Sequence, residues 1–263
     1  REEDGTCHSS DVSACLAGAV CGDHCSPICV RLLIWDSYYR HLPVDLWEAY
    51  ESGAAKDITF LQGCNKDEMN FFVTVLGVED WNAWIAERKT EKFGRLLTEE
   101  ERAKIESYCN EWSKEGWERG SCLLTQSWFA APAVRSSESL TKGGGKVYTY
   151  YYRVESVMPI LKSGHGEELP IVFCHPEMTD GRPYDATFSR TMRRMWVQFA
   201  KTGDPSLSAD ISPDGKAKEW PLYDPENRQV MVLDEDNIHP ARESEVKMVD
   251  WDRTYFLTKY YML

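Results

Sequence analysis

An α/β fold is predicted from three stretches in which helical and extended patterns alternate. "PVDLWEAYESG" (43–53) has helical spacing and runs directly into the short apolar strand "DITFLQG" (57–63). "KGGGKVYTYYYRV" (142–154) is a glycine turn followed by an aromatic, β-branched strand. "DATFSRTMRRMWVQFAKTGDP" (185–205) is an amphipathic helix, and a further strand, "RQVMVLD" (228–234), follows it. Helices interleaved with strands that feed polar loops are α/β punctuation.

The elements follow in order. In the first helix Leu46, Trp47 and Tyr50 share a face and Gly53 is the stop. The first strand runs apolar from Ile58 to Leu61 and is expected to break at Gly63. Residues 79–117 are charged, Trp-rich and helical, and "TEEE" (98–101) matches the capping box. The second strand covers 147–152, and because its glycines lead into a strand, they do not form a phosphate-cradling loop. "LPIVF" (169–173) reads as the start of another strand. In the long helix Phe188, Met192, Met195, Trp196 and Phe199 form a core stripe, with Thr187 or Asp185 as cap and Gly203 and Pro205 as stop. A final amphipathic helix is expected from about 244 to 261.

Composition limits the function classes. The 263 residues are 42% hydrophobic and 12% aromatic, enough to bury a sizeable core. Lys+Arg 30 against Asp+Glu 43 gives a net charge of −13, which repels phosphate backbones and argues against a nucleic-acid partner. No apolar run is long enough to span a membrane. Of nine cysteines, five fall in the first thirty residues and the rest are unpatterned, which slightly favours small buried thiols in a reducing, cytoplasmic compartment over a disulfide framework.

Three constellations could carry chemistry. Cys21, His24, Cys25 and Cys29 have a spacing compatible with structural zinc, but Pro27 prevents a common helix face and no second ligand pair follows, so idle thiols are preferred and no metal or other cofactor is expected. Asn65, Asp67 and Glu68 stand just past a strand end, where α/β sheets collect function, although by spacing alone they read as a solvated acidic turn. His165 lies between Gly164 and Gly166, which free the backbone to aim it, although a lone loop histidine is ordinarily a surface residue.

Together, "QGCNKDE", "GHGEELPIVF", and "FSRTMRRMWVQFAKTGDP" followed by "EWPLYDPE" resemble the C-terminal half of the type B carboxylesterases, the cholinesterase-like family, from about 43 to 233. Residues 1–42 match only loosely. The resemblance implies one partial domain over 1–263: the C-terminal half of an α/β-hydrolase, a mostly parallel sheet flanked by helices without its N-terminal strands. Gly63, Asn65 and Glu68 match the family's G-x-N-x-x-E-G loop, which makes Glu68 the inferred triad acid, with Asp67 as fallback. His165, Gly166, Glu168 and Leu169 match its H-G-x-E-L turn, which makes His165 the inferred base, Glu168 a structural acceptor within that turn and Glu167 a solvated neighbour.

No serine here stands in G-x-S-x-G, so the implied nucleophile lies outside the chain. Met69 replaces the family's glycine after the acid, at a position where a requirement for positive φ would shift the loop. The implied activity is carboxylic ester hydrolysis through an acyl-enzyme. The alternative is a catalytically silent binding or adhesion module. The implied partners are a small-molecule ester and either the N-terminal half of the same fold or a second copy. Trp84, Trp128 and Tyr152 are candidate pocket walls, with core packing as the competing reading.

Overall fold

A computed structural model describes residues 45–79, 98–101, 103, 104, 107, 116–173, 186–235 and 237–249. The chain divides by its contacts between Ala49 and Tyr50. Of the first unit the described residues are 45–49, where the Asp45 carboxylate accepts from the Trp47 and Glu48 amides at the start of helix α1 (Leu46–Glu51). Everything below concerns the second unit.

Among the described residues one sheet is built from β1 (Thr59–Asn65), β2 (Lys146–Tyr152), β3 (Gln229–Leu233) and β4 (Ile238–Arg242), in that spatial order. β1 and β3 both run parallel to β2, and β4 returns antiparallel on β3. β4 is an edge strand and contains Pro240, which an edge tolerates because no ladder hydrogen bond is needed from its nitrogen on the open side.

Side chains alternate between two cores, as strand geometry requires. Cys64, Val147, Tyr151 and Val230 point to one face, where Ala130, Val134 and Leu140 pack on them. Ala130 ends a π-helical turn (Gln126–Ala130) and Val134 and Leu140 lie in α4 (Ala131–Lys142), both continuing from helix α3 (Gly116–Thr125). Tyr148, Tyr152, Met231 and Leu233 point to the other face, against Ile171 of α5 (Leu169–Phe173) and Phe188, Met192 and Met195 of α6 (Thr187–Thr202). Met192 and Met195 are fully buried, each contributing about 1.5–3 kcal/mol. The predicted core stripe of α6 is therefore the face that it buries.

The sequence expectations are corrected at several points. β1 does not break at Gly63 but continues to Asn65, and glycine is needed there because a Cβ would collide with the Tyr150 carbonyl and ring. "LPIVF" is a helical turn, with Pro170 in its first turn and the Ile171 carbonyl accepting from Arg193 Nη1 at 3.4 Å. α6 begins at Thr187 behind Ala186 with no side-chain cap, and it stops at Gly203 as expected; Asp185 lies outside the described residues. Residues 243–247 are turns, so no helix starts at Ser244, and 250–261 lie outside the described residues. The Thr98–Glu101 capping box is present in both directions: the Thr98 amide donates to Glu101 Oε2 (2.9 Å) and the Glu101 amide to Thr98 Oγ1 (3.2 Å). The remainder of 79–117 up to residue 115 is described only in part.

Candidate active site

β1 and β2 run parallel, so their C-terminal ends emerge side by side, the position where loops of an α/β sheet converge. The ladder continues one step past β1, because the Lys66 amide donates to the Tyr152 carbonyl. Two more backbone bonds join the following loops: the Asp67 amide donates to the Ser163 carbonyl and the His165 amide to the Glu68 carbonyl. Glu68 and His165, 97 positions apart in sequence, are thereby fixed next to each other by main chain before any side chain is considered.

Their side chains then meet. Glu68 Oε2 lies 2.6 Å from His165 Nδ1, and Glu68 Oε1 accepts from the Asn65 amide at 2.7 Å. Both carboxylate oxygens are engaged on a side chain that is almost completely buried, whereas the imidazole is about half exposed (48%). Phe72 stacks on the imidazole at a ring-centroid distance of 5.9 Å and Phe129 lies at 5.2 Å, so two aromatic rings wall the histidine. The hydrogen bond that His165 donates to the Glu68 carboxylate raises the imidazole pKa above its ordinary value, and partial burial opposes the rise without reversing it. With Nδ1–H donated to Glu68, the neutral ring keeps a bare Nε2.

Glu168 is pushed above the ordinary carboxylate range, chiefly by burial, with the hydrogen bond from Asn65 opposing. It does more than hold its own turn, because Asn65 Nδ2 donates to Glu168 Oε2 and to the Gly164 carbonyl, linking the acid loop to the histidine loop. Gly166 has φ +81°, a conformation that glycine adopts without strain. Met69 has φ −72°, so its position does not require positive φ; the side chain is fully buried, and its amide donates to Thr125 Oγ1.

Sequence reasoning missed the Asn65 clamp and the aromatic wall. The only signals were the asparagine inside the acid motif and "NFF" directly after it. Tyr152 is fully buried beneath the histidine turn, its hydroxyl donating to the Glu167 carbonyl, so it is core and not pocket wall. Trp128 is half-buried. Trp84 and the four residues of the zinc spacing, Cys21, His24, Cys25 and Cys29, lie outside the described residues. Among the described residues no group of three or more His, Cys, Asp or Glu side chains could hold a metal ion, and no helix is long and apolar enough to cross a membrane.

In comparison with known proteins, the carboxylesterase family profile matches residues 33–249. The chain belongs to the carboxylesterase family. Among curated carboxylesterase relatives, Bacillus subtilis para-nitrobenzyl esterase is 27% identical over 78% of this chain and 40% of its own length. Human bile salt-activated lipase is 24% identical over 71% of this chain and 27% of its own, and mouse carboxylesterase 5A is 28% identical over 49% and 23%. Solved structures agree in fold. A PNB esterase superposes with TM-score 0.60 at 24% identity, covering 81% of this chain and 41% of that one. The Geobacillus stearothermophilus carboxylesterase EST55 does so with TM-score 0.60 at 25% identity, covering 80% and 44%. This carboxylesterase-family chain thus has an α/β-hydrolase sheet and spans less than half the length of each of these relatives.

Proposed function

We propose that this chain supplies the acid and the base of a serine carboxylic-ester hydrolase that works through an acyl-enzyme. Glu68 is the acid and His165 the base; the nucleophilic serine comes from outside these 263 residues. The 2.6 Å contact between Glu68 Oε2 and His165 Nδ1 carries this reading. Family membership supports the reaction class.

The residues act as follows. A serine hydroxyl becomes a competent nucleophile when His165 Nε2 takes its proton as it attacks the ester carbonyl. Glu68 holds the opposite ring nitrogen, fixing the tautomer and stabilising the imidazolium that forms. His165 then returns the proton to the leaving alkoxide, and the cycle repeats with water on the acyl-enzyme. Removing such a base lowers kcat on the order of 10⁴ to 10⁶-fold.

The nucleophile is supplied by the N-terminal half of the same fold or by a second chain. Two observations support a partner: β1 has no described strand on its outer edge, and Phe71, Val75 and Leu76 of helix α2 (Asn70–Leu76) are exposed. A p-nitrophenyl ester assay tests the proposal. The 263-residue chain alone gives no turnover, and turnover by that chain abolished by His165→Ala would show that the nucleophile is within it. Size-exclusion chromatography is expected to show association, and a stable monomer would count against the partner.

A further inference from the structure

Helix α3 lies against both loops of the pair. Glu118, Ser121 and Thr125 stand at i, i+3 and i+7, so they share one face. Each bonds a segment that carries one member of the pair. Glu118 Oε1 accepts from Lys162 Nζ at 2.6 Å, just before His165 in the chain. The Ser121 hydroxyl donates to Asn70 Oδ1 at 2.5 Å, and Thr125 Oγ1 accepts from the Met69 amide at 3.1 Å, in the residues directly after Glu68. In the π-helical turn that follows, Phe129 faces the imidazole itself at 5.2 Å.

The Thr125 contact falls on the peptide that joins acid to base. The Glu68–Met69 peptide is planar, so its carbonyl and its N–H turn together. The carbonyl accepts from the His165 amide, and the N–H donates to Thr125. The Thr125 hydroxyl therefore sets the plane of the peptide on which the His165 main chain hangs. Asn70 adds a second tie, since it accepts from Ser121 and its Nδ2 donates to the Ile160 carbonyl at 2.9 Å, in the segment leading to His165. Ser121 and Thr125 are almost completely buried, so removing either oxygen leaves its partner inside the protein rather than in water.

We propose that Thr125, supported by Ser121, is a positioning residue for the Glu68–His165 pair: it fixes the Glu68–Met69 peptide, and with it the approach of the Glu68 carboxylate to His165 Nδ1. It takes no proton itself and acts through the acid loop. The role in catalysis rests on the reading of Glu68 and His165 as acid and base.

The test is the His165 titration, followed by long-range proton–nitrogen NMR of the 263-residue chain. Thr125→Val nearly keeps the shape and removes the acceptor, and the midpoint should fall toward that of free imidazole by at least about 0.3 pH unit, a fraction of what a close opposite charge contributes. Thr125→Ser retains the hydroxyl and should keep the parent midpoint. Thr191→Val removes an equally buried hydroxyl, one that donates to the Thr187 carbonyl within α6, and controls for lost stability alone: the His165 midpoint should stay in place. If Thr125→Val does not fold, Ser121→Ala takes its place, with a fall of at least about 0.2 unit expected. Glu68→Gln separates this proposal from the acid–base reading: a midpoint that it leaves unchanged removes the pair, and the positioning role with it. A midpoint that falls in Glu68→Gln but not in Thr125→Val or its substitute, or that Thr125→Ser or Thr191→Val lowers as far, overturns the positioning role alone.

Discussion

Asn65 Nδ2 donates to Glu168 Oε2 at 2.5 Å, so the residue that ends β1 grips the turn that carries His165. The same amide group donates to the Gly164 carbonyl at 2.7 Å, and the Asn65 main chain donates to Glu68 Oε1. One residue, through its side chain and its main chain, therefore links the supports of both members of the pair. Asn65→Ala leaves the Glu168 carboxylate and the Gly164 carbonyl without this donor, which should cost about 1–3 kcal/mol. Asn65→Asp should be worse, because it sets a second carboxylate against Glu168. Urea unfolding reads both as a lower midpoint with an unchanged m-value.

Gly63 is the closest approach between β1 and β2. A Cβ there would overlap both the main-chain carbonyl and the ring of Tyr150, which sits opposite it in the ladder, so the strands would have to separate. Gly63→Ala is expected to destabilise by about 3 kcal/mol or more, the upper end for overpacking, because backbone cannot move aside as a side chain tip can. A melting temperature within a degree of the parent would show that β1 is not held at this spacing.

Glu243 gives a pH dependence of definite sign. Its side chain is buried, and burial raises its pKa to about 7, although Arg228 Nη1 lies 3.0 Å from Oε1 and opposes the rise. A carboxylate whose folded pKa is raised contributes stability that is complete below its unfolded value and is lost as pH rises through the folded one. Stability from this group is therefore greatest below about 4.5 and falls toward pH 7, by a few kcal/mol at most. Glu243→Gln should remove that slope, so the difference between parent and variant, measured by urea unfolding from pH 4.5 to 7.5, should change with pH. A constant difference would mean that Glu243 titrates normally.

Much of this arrangement was legible because local pattern and tertiary role agree. The α6 stripe from Phe188 to Phe199 is both the helical period and the buried face, and the apolar run of "TFLQ" is extended within β1. Where several contacts converge on one residue, single-sequence patterns carried less. Gly63 reads as a breaker because its reason lies in Tyr150, a strand away. "LPIVF" is short and apolar, a composition that suits strand and buried helix equally, and its packing against α6 determines the outcome. No strand is expected over "IHPAR" in the sequence; its proline suits an edge position, which pairing with β3 provides. For the pair itself, motif register brought Glu68 and His165 together on paper. Their contact depends on the loop-to-loop main-chain bonds and on Asn65, which spacing does not show.

The central claim is that Glu68 holds His165 by Nδ1 and leaves Nε2 free to act as base. Long-range proton–nitrogen NMR of the chain across pH 5 to 9 measures this directly. The expected result is a neutral His165 protonated on Nδ1, with a titration midpoint above that of free imidazole, and a midpoint that falls in Glu68→Gln. A neutral ring protonated on Nε2, or a midpoint that Glu68→Gln leaves unchanged, would contradict it.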